Sequence, residues 1–447
     1  MPYTIITFGS AKTQLADRLD KAKVFWKDAE LGLLIVEAMR TWNVMTGYWR
    51  KRIVLPTVST QPFYDLPSQA TLAATHSFTL KDRDLINDMQ YSLIENVNNW
   101  GVSTAWAGTD MFDMAQFTRA IERRRNQFLL EAGTALTLET IAVAPPPIGR
   151  IPLPEAYIDV RRAAWRDSFG VFSVLFRDDE WAMNAFKSGW AQTPARPRVM
   201  SIAAAPQITL QVAPVPLDAG MLQVIVVKTG ATLDPVAGIV LGVQDDFAWI
   251  IRYGAMADLL SQEGEARDVQ RAEYCESRYQ QGVNLARTST GLMEVQVNDV
   301  PVRTDALYDW DTFQSEWQNS VGQPRVAALP GFSMLALNPV PNAVFGISAD
   351  AVIKAPVPVL DADPIDIGRE DLEAILNLAE HAGSFKQGGS EFSQGMALYK
   401  AAEESAKVYN SRIEEFSLFS EQMKDRARQE ADKRPSRLPR PTEVVNQ

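Results

Sequence analysis

One stretch of this chain occurs twice, and this repeat constrains the fold more than any other feature of the sequence. FKSGWAQTPARPRV at 186–199 returns as FQSEWQNSVGQPRV at 313–326, with Phe, Ser, Trp, Pro, Arg and Val at one constant spacing. The agreement continues downstream, where VAPVP at 212–216 corresponds to LNPVP at 337–341. Similarity at a fixed period indicates a repeated structural unit, so we expect a duplication of about a hundred residues.

Each copy has the same predicted order of elements. The Pro-Arg-Val strand is followed by two more apolar strands, which are separated by a Pro-x-Pro turn. Two helices come next, and the second is predicted to end near Arg287 in one copy and near Ile413 in the other. The residues that define this repeated scaffold are Trp190, Pro197 and Asp246 in the first copy and Trp317, Pro324 and Asp371 in the second.

Carboxylates stand at the predicted start of several helices. Asp246 and Asp371 begin the first helix of each copy, where a carboxylate accepts from free backbone amides and complements the helix dipole. Capping is also the favoured explanation for the cluster 178–180 and for Asp245. A catalytic acid and base pair, which needs two carboxylates in distinct environments, is the less favoured alternative.

The first part of the chain carries three amphipathic helices, predicted at 28–49, 80–97 and 110–132. The first and third of these end near a glycine, Gly47 or Gly133, and each is followed by a segment that closes on Leu-Pro. This similarity leaves open whether the N-terminal region is itself duplicated.

The predicted fold is α+β, a helical bundle with strand-rich domains in which the unit of strands plus helical hairpin is present twice. We predict an N-terminal region of helices and strands at 1–155, the first copy of the unit at 156–290 and the second at 291–413. A helical extension and a tail rich in proline and arginine follow at 414–447.

Composition limits the classes of function. With 46% hydrophobic and 22% charged residues the chain has the balance of a folded protein. A net charge of −11 argues against binding of nucleic acid by the whole surface, because such binding needs a basic surface. We find neither the pattern of a signal peptide nor an apolar run long enough to span a membrane, so we expect folding in a cytosol and no membrane.

Candidate catalytic groups are few. The single cysteine, Cys275, lies in a predicted helix and is expected to be an inert core residue. The two histidines, His76 and His381, lie in unrelated segments, and packing or surface roles are favoured over metal binding. The sequence contains no phosphate loop, zinc-binding helix, nucleophile elbow or dinucleotide turn. We therefore expect no enzyme, no cofactor and no metal.

Two basic segments are candidates for partner binding. The run Arg123, Arg124 and Arg125 lies on a helix with an apolar opposite face, so a solvated face is favoured, and pairing with an acidic neighbouring subunit is the functional alternative. The C-terminal stretch RPSRLPRPTEVVNQ has almost nothing to bury and is either a solvated tail or an arm that becomes ordered on a partner. Its candidate binding residues are Arg434, Arg437, Pro439 and Arg440.

Three motifs resemble the head-to-tail adaptor (connector) proteins of tailed bacteriophages. They are FWKDAELGLLIVEAMRTWN at 25–43, YDLP at 64–67, and the strand that closes on VAPVP before a pair of helices. The resemblance implies a virion structural protein of the neck, a dodecameric homo-oligomeric ring that joins the portal to the tail and through which the genomic DNA passes. The chain departs from the family in its length and in its extra copy of the unit.

The resemblance leaves alternatives open. Within the virion, the chain could be a tail terminator, a tail-tube subunit or another neck protein. A tail-associated glycan hydrolase would need acid pairs in an aromatic cleft, and a DNA-packaging accessory protein would bind duplex DNA with a steep salt dependence. The expected partners are the portal and other neck or tail proteins, in the virion and in the host cytoplasm during assembly.

Overall fold

A computed structural model describes residues 6–19, 25–66, 78–106, 111–143, 150–186, 189–190, 192–203, 208–289 and 291–416. The fold is α+β, as predicted. Its helices are α1 (Phe8–Leu19), α2 (Asp28–Thr46), α3 (Asp82–Leu93), α4 (Met114–Ala132), α5 (Glu180–Phe186), α6 (Ala248–Leu260), α7 (Val269–Thr288), α8 (Leu307–Phe313), α9 (Arg369–Gln387) and α10 (Gly389–Phe416). Its strands are β1 (Arg50–Pro56), β2 (Phe63–Asp65), β3 (Thr137–Val143), β4 (Arg150–Pro152), β5 (Tyr157–Arg166), β6 (Phe172–Arg177), β7 (Val199–Ala203), β8 (Thr209–Ala213), β9 (Gly220–Lys228), β10 (Leu292–Val297), β11 (Val300–Pro301), β12 (Arg303–Asp305), β13 (Val321–Gly322), β14 (Val326–Ala328), β15 (Met334–Asn338), β16 (Val340–Pro341) and β17 (Gly346–Val352).

The strands form one large sheet and several smaller ones. The large sheet has seven strands in the order β3-β9-β5-β6-β7-β8-β4, and every strand comes from the middle of the chain. Two four-stranded sheets have the orders β1-β17-β10-β11 and β12-β14-β15-β2, and β13 pairs with β16. Neighbouring strands in the large sheet are antiparallel except for the parallel pair β6 and β7.

The N-terminal strands complete the sheets of the C-terminal region. Strand β1 runs antiparallel to β17, with Arg50 opposite Val352 and Pro56 opposite Gly346. Strand β2 runs antiparallel to β15 in the same way. By contrast, β3 and β4 belong to the large sheet. Two strands before residue 155, β1 and β2, therefore pair with strands after residue 290, and the other two, β3 and β4, pair with strands between 155 and 290. The boundaries predicted at 155 and 290 do not coincide with the limits of the sheets.

Both regions predicted to be copies contain three equivalent strands followed by two helices, and the second also contains the two-residue strands β13 and β16. The first has β7, β8, β9, α6 and α7, and the second has β14, β15, β17, α9 and α10. The second helix ends at Thr288 in one and at Phe416 in the other, close to the predicted ends. The common origin of the two regions stays a prediction.

Apolar stripes on helices α2 and α4 form the centres of two cores. Leu31, Ile35 and Trp42 of α2 are fully buried among residues of α1, α9 and α10. The residues of α4 at the same distances from its C-terminal glycine are Phe117, Ile121 and Phe128, which are buried against α6 and α7. The three- and four-residue spacing places each stripe on one face, as predicted from the sequence.

Glycines end both of these helices. Gly47 follows α2 and Gly133 follows α4, both in the left-handed conformation, with φ of 55° and 62°. Their amides donate to the carbonyl oxygens of Asn43 and Leu129, at 2.7 and 3.2 Å. This geometry is the C-terminal cap predicted for both helices.

Alanine at these two caps should destabilise the protein to different extents. A Cβ on Gly133 would meet no atom within 4 Å, so Gly133→Ala should cost only the left-handed strain of about 1 kcal/mol. A Cβ on Gly47 would lie 2.9 Å from the Met293 methyl carbon, so Gly47→Ala should cost roughly twice as much. Urea unfolding measures both, with Gly101→Ala as the control. Equal losses at the two caps would contradict the packing difference.

Candidate assembly interface

The three consecutive arginines of α4 lie in three different environments. The Arg123 side chain is 71% exposed. The Arg124 side chain is 8% exposed and makes ion pairs with Asp258 of α6 at 2.6 Å and with Glu276 of α7 at 2.8 Å. The prediction of a solvated face is therefore wrong for Arg124, whose partners lie within the chain. Of the two candidates Arg123 and Arg124, Arg123 is the one whose charge reaches solvent, although it also lies 3.8 Å from Asp258.

Arg125 is fully buried, which also contradicts the predicted solvated face. Its guanidinium donates to the carbonyl oxygen of Ala231 at 2.7 Å. Gly230 leaves room for it, since a Cβ there would lie 2.5 Å from the guanidinium carbon. The spacing of the sequence contained this signal, because residues 124 and 125 stand three and four positions after Ile121 of the buried stripe.

Capping was predicted for the acidic pair before α6, but neither carboxylate caps its own helix. Asp246 is buried and accepts from the Asn43 side-chain amide at 2.6 Å and from the backbone amide of Ala355 at 3.2 Å. Asp245 accepts from the backbone amides of Thr79 and Leu80, at 2.8 and 3.0 Å. Burial raises the pKa of Asp246 to about 6. The two carboxylates therefore join distant segments of the chain instead of capping the start of their helix.

Asp371 and the cluster 178–180 remain at helix starts. Asp371 lies in the first turn of α9, where a carboxylate complements the helix dipole. Asp179 accepts from the backbone amide of Ala182 at 2.5 Å, next to the start of α5. Capping is thus confirmed for Asp179.

A buried ion pair joins α2 to α6. Glu37 and Arg252 approach to 2.5 Å, and both side chains are less than one-tenth exposed. Arg40 and Asp88 line the same small cavity. Burial raises the pKa of Asp88 to about 7, although the charges of Arg252 and Arg40 oppose the shift. A charged layer therefore lies between α2, α3 and α6.

Aromatic and polar contacts continue this layer between α7, α9 and α10. The Arg278 guanidinium of α7 stacks on the Tyr399 ring of α10 at 4.2 Å. His381 of α9 is buried, and its Nδ1 donates to the carbonyl oxygen of Gly395 at 2.9 Å, which leaves Nε2 to accept from the Tyr274 hydroxyl. Burial and the charge of Arg278 lower the pKa of His381 to about 3, so this histidine is neutral. Its role is packing, as predicted.

The single cysteine and the tryptophans and prolines of the predicted repeat scaffold are all buried. Cys275 is buried, and burial raises the pKa of its thiol. Trp190 and Trp317 are both buried, with their indole N–H groups donating to Asn184 and Asp311 at 2.9 Å. Pro197 and Pro324 are buried as well. The candidates that lie outside the described residues are His76, Arg434, Arg437, Pro439 and Arg440.

A cavity of about 470 Å³ lies between the C-terminal end of α2 and β17. Its polar lining includes Asn43 and Asp246, which bind each other, and Gln244. Within the described ranges no group of three or more His, Cys, Asp or Glu could hold a metal ion. The helices described here include none that is long and apolar enough to cross a membrane.

Comparison with known families connects this geometry to a function. Residues 83–298 match the family model of the SU10 adaptor protein. The matched range begins in α3 and ends directly after β10, and it spans a little under half of the chain. It includes the strand that closes on VAPVP, whereas the motifs at 25–43 and 64–67 lie before it. A comparison with curated proteins found no match.

The matched family is a structural adaptor family and not a known enzyme family. The match suggests a role as a phage adaptor, interaction with other head or tail proteins, and a location in the virion. This agrees with the class of function that the sequence motifs implied. The acidic and histidine residues described above are engaged in packing, ion pairs and caps.

Removing the carboxylate from the buried ion pair should be costly. Glu37→Gln leaves the Arg252 guanidinium buried beside a neutral amide, so we expect a loss of about 3 kcal/mol in unfolding free energy. Glu404→Gln breaks the exposed pair with Lys407 and should cost less than about 0.5 kcal/mol. Urea unfolding of both variants measures the difference. Similar small losses would show that Arg252 does not depend on Glu37.

The raised pKa of Asp88 predicts a specific dependence of stability on pH. The folded state holds a proton that the unfolded chain releases from about pH 4, so this contribution to stability is present below pH 4 and is lost as the pH rises through about 7. Asp88→Asn cannot titrate, and its unfolding free energy should rise relative to wild type between pH 4 and 7. Asp218→Asn, at an exposed loop position, controls for the change in net charge. A constant difference between Asp88→Asn and wild type would rule the titration out.

Proposed function

We propose that this protein is a structural subunit of a tailed-phage neck, an adaptor that joins the portal to the tail as part of a homo-oligomeric ring. The observation that carries the proposal is the match of residues 83–298 to the SU10 adaptor protein family. The matched residues contain the whole seven-stranded sheet together with α4, α6 and α7. The match thus covers a complete sheet with several helices and is not limited to a short motif.

We propose a ring because it is the closed assembly that contacts between identical subunits can form. Identical subunits that contact one another head to tail close into a ring when the rotation between them divides a full turn. The resemblance of the sequence to connector proteins implies a dodecamer, in which each subunit contacts its neighbours, the portal and the next neck or tail protein.

Passage of the genome through such a ring requires weak contact with DNA. The chain has a net charge of −11, and an acidic lumen repels phosphate, so duplex DNA would slide through it without being held. In this proposal the DNA is transported through the ring and is not bound in a sequence-specific manner. A ring whose inner surface is strongly basic would contradict it.

Electron microscopy of the purified protein tests the proposed function directly. The chain alone, or mixed with the portal protein of the same phage, should form rings with a central channel. Rings that bind the portal end-on support the adaptor. A stack of identical rings would instead indicate a tail tube, and monomers that hydrolyse host glycans would indicate a tail enzyme.

The C-terminal tail is proposed to dock on the portal. Deleting residues 433–447 should abolish copurification with the portal while the chain keeps its fold, because the tail offers arginines and prolines to a partner surface and little to its own core. The triple change Arg434→Gln, Arg437→Gln and Arg440→Gln should weaken binding, and the matched change of the same residues to Lys should retain part of it. Undiminished binding by the deletion variant would refute the proposed role of the tail.

A further inference from the structure

The strands of the chain form the same arrangement twice. In the large sheet the order is β3-β9-β5-β6-β7-β8-β4. The two four-stranded sheets, placed end to end, have the order β1-β17-β10 and then β12-β14-β15-β2, with β11 added at the break and the short pair β13–β16 outside this series. Each strand of the second series takes the place of one strand in the first. The parallel pair β6–β7 has its counterpart in the parallel pair β12–β14.

The register of the strands agrees as well as their order. Lys51 stands four residues after Gly47, and Thr137 stands four residues after Gly133. Lys51 lies opposite Ala351 and Thr137 lies opposite Val226, two residues that the sequence repeat aligns. Strands β5 and β10 also carry a bulge at the same place in their pairing with β9 and β17. Agreement at single-residue level is what two copies of one unit would give.

These equivalences define two units. The inner unit comprises the described residues between 78 and 289, and the outer unit comprises those at 6–66 and 291–416. The inner unit has α3, α4, α6 and α7 where the outer unit has α1, α2, α9 and α10. The segments that precede α1 and α3 even make equivalent isolated bridges, Thr7 with Pro364 and Lys81 with Val240. The inner unit is therefore inserted into the outer one.

One helix contact between the two units has no reciprocal counterpart. Glu37 of the outer α2 pairs with Arg252 of the inner α6. Their counterparts are Arg123 on the inner α4 and Asn377 on the outer α9. Arg123 is largely exposed, and Asn377 accepts from Arg18 of α1. The inner unit thus does not use its α4 as the outer unit uses α2.

Two surfaces are left exposed as a result. Leu33 and Glu37 of α2 meet Ala248 and Arg252 of α6 around one small cavity inside the chain. The aligned residues of α4 are Arg119 and Arg123, which are exposed, and Ala248 aligns with Glu373 of α9, whose side chain is 65% exposed. Glu370 in the same first turn is exposed too. One surface is therefore predominantly basic and the other predominantly acidic. Arg123 lies 3.8 Å from Asp258 and Glu373 pairs with Arg18 at 2.7 Å within the chain, but both side chains stay largely exposed to a partner.

We propose that these two surfaces bind each other between neighbouring copies of this chain. The basic face of α4 (Arg119, Arg123) docks on the acidic face of α9 (Glu370, Glu373) of the next copy and repeats between chains the contact that α2 makes with α6 within one. The inference rests on the proposed ring. It adds that each chain supplies two consecutive positions of the ring, so the ring holds half as many chains as units.

Charge reversal with mixing tests this pairing. Chains with Arg119→Glu and Arg123→Glu, or with Glu370→Lys and Glu373→Lys, should each lose self-association, because both surfaces then carry the same sign. An equimolar mixture of the two variants should assemble again, since every contact in an alternating ring joins opposite charges. Mass photometry and electron microscopy measure the assemblies. Recovery on mixing also shows that both variants are folded.

A matched control uses positions that lie outside the contact. Arg198 and Arg325 are aligned by the repeat and are exposed in both units, so Arg198→Glu with Arg325→Glu should assemble like wild type. Variants that assemble normally, or single losses that mixing does not restore, would overturn the pairing while leaving the ring intact. If deleting 433–447 abolished the effect of charge reversal, the tail would be the occupant of the acidic face and the pairing would be wrong. A wild-type chain that never self-associates would refute the ring and the pairing together.

Discussion

The pairing of β1 with β17 determines how the rest of the chain is arranged. It brings Arg50 beside Val352 and so closes a loop that contains about three hundred residues. Everything between these strands must fold within that closure, including the complete seven-stranded sheet. Helix α2 is consequently held against α9 and α10, which lie far from it in the sequence. It also contacts α6, from the middle of the chain.

The charged layer between α2 and the inner helices fixes how the two halves meet. A buried ion pair such as Glu37 with Arg252 contributes little net stability compared with apolar packing, but an unpaired member is strongly unfavourable. Asn43 with Asp246, and Arg278 with Tyr399, impose the same requirement at other points of the layer. The layer therefore specifies one relative placement of the two halves, which the proposed ring would require so that the outer faces of neighbouring copies match.

Much of the local structure followed from the sequence. The stripes of α2 and α4, the glycine caps at 47 and 133, and the strands around the repeated Pro-Arg-Val segment were all predicted close to their observed positions. The environments of the charged residues were harder to predict. Arg124 was predicted to be solvated because a run of arginines usually faces water, yet Asp258 and Glu276 approach it from other helices. Asp246 was predicted to cap a helix because helix starts commonly carry a carboxylate, but its partners come from α2 and from the residues after β17.

The sequence by itself determined the periodic elements, the caps and the α+β class, since these depend on spacings of a few residues along one segment. It also contained the repeat, whose identical residues include the buried pairs Trp190 with Trp317 and Pro197 with Pro324. Only the tertiary structure decided that β1 and β2 belong with residues 291–416 and that β3 and β4 belong with the middle of the chain. The same holds for the exposure of Arg123 beside two buried arginines. The physical reason is that strand partners and buried charge pairs are chosen by contacts across hundreds of residues, which no local pattern of the sequence specifies.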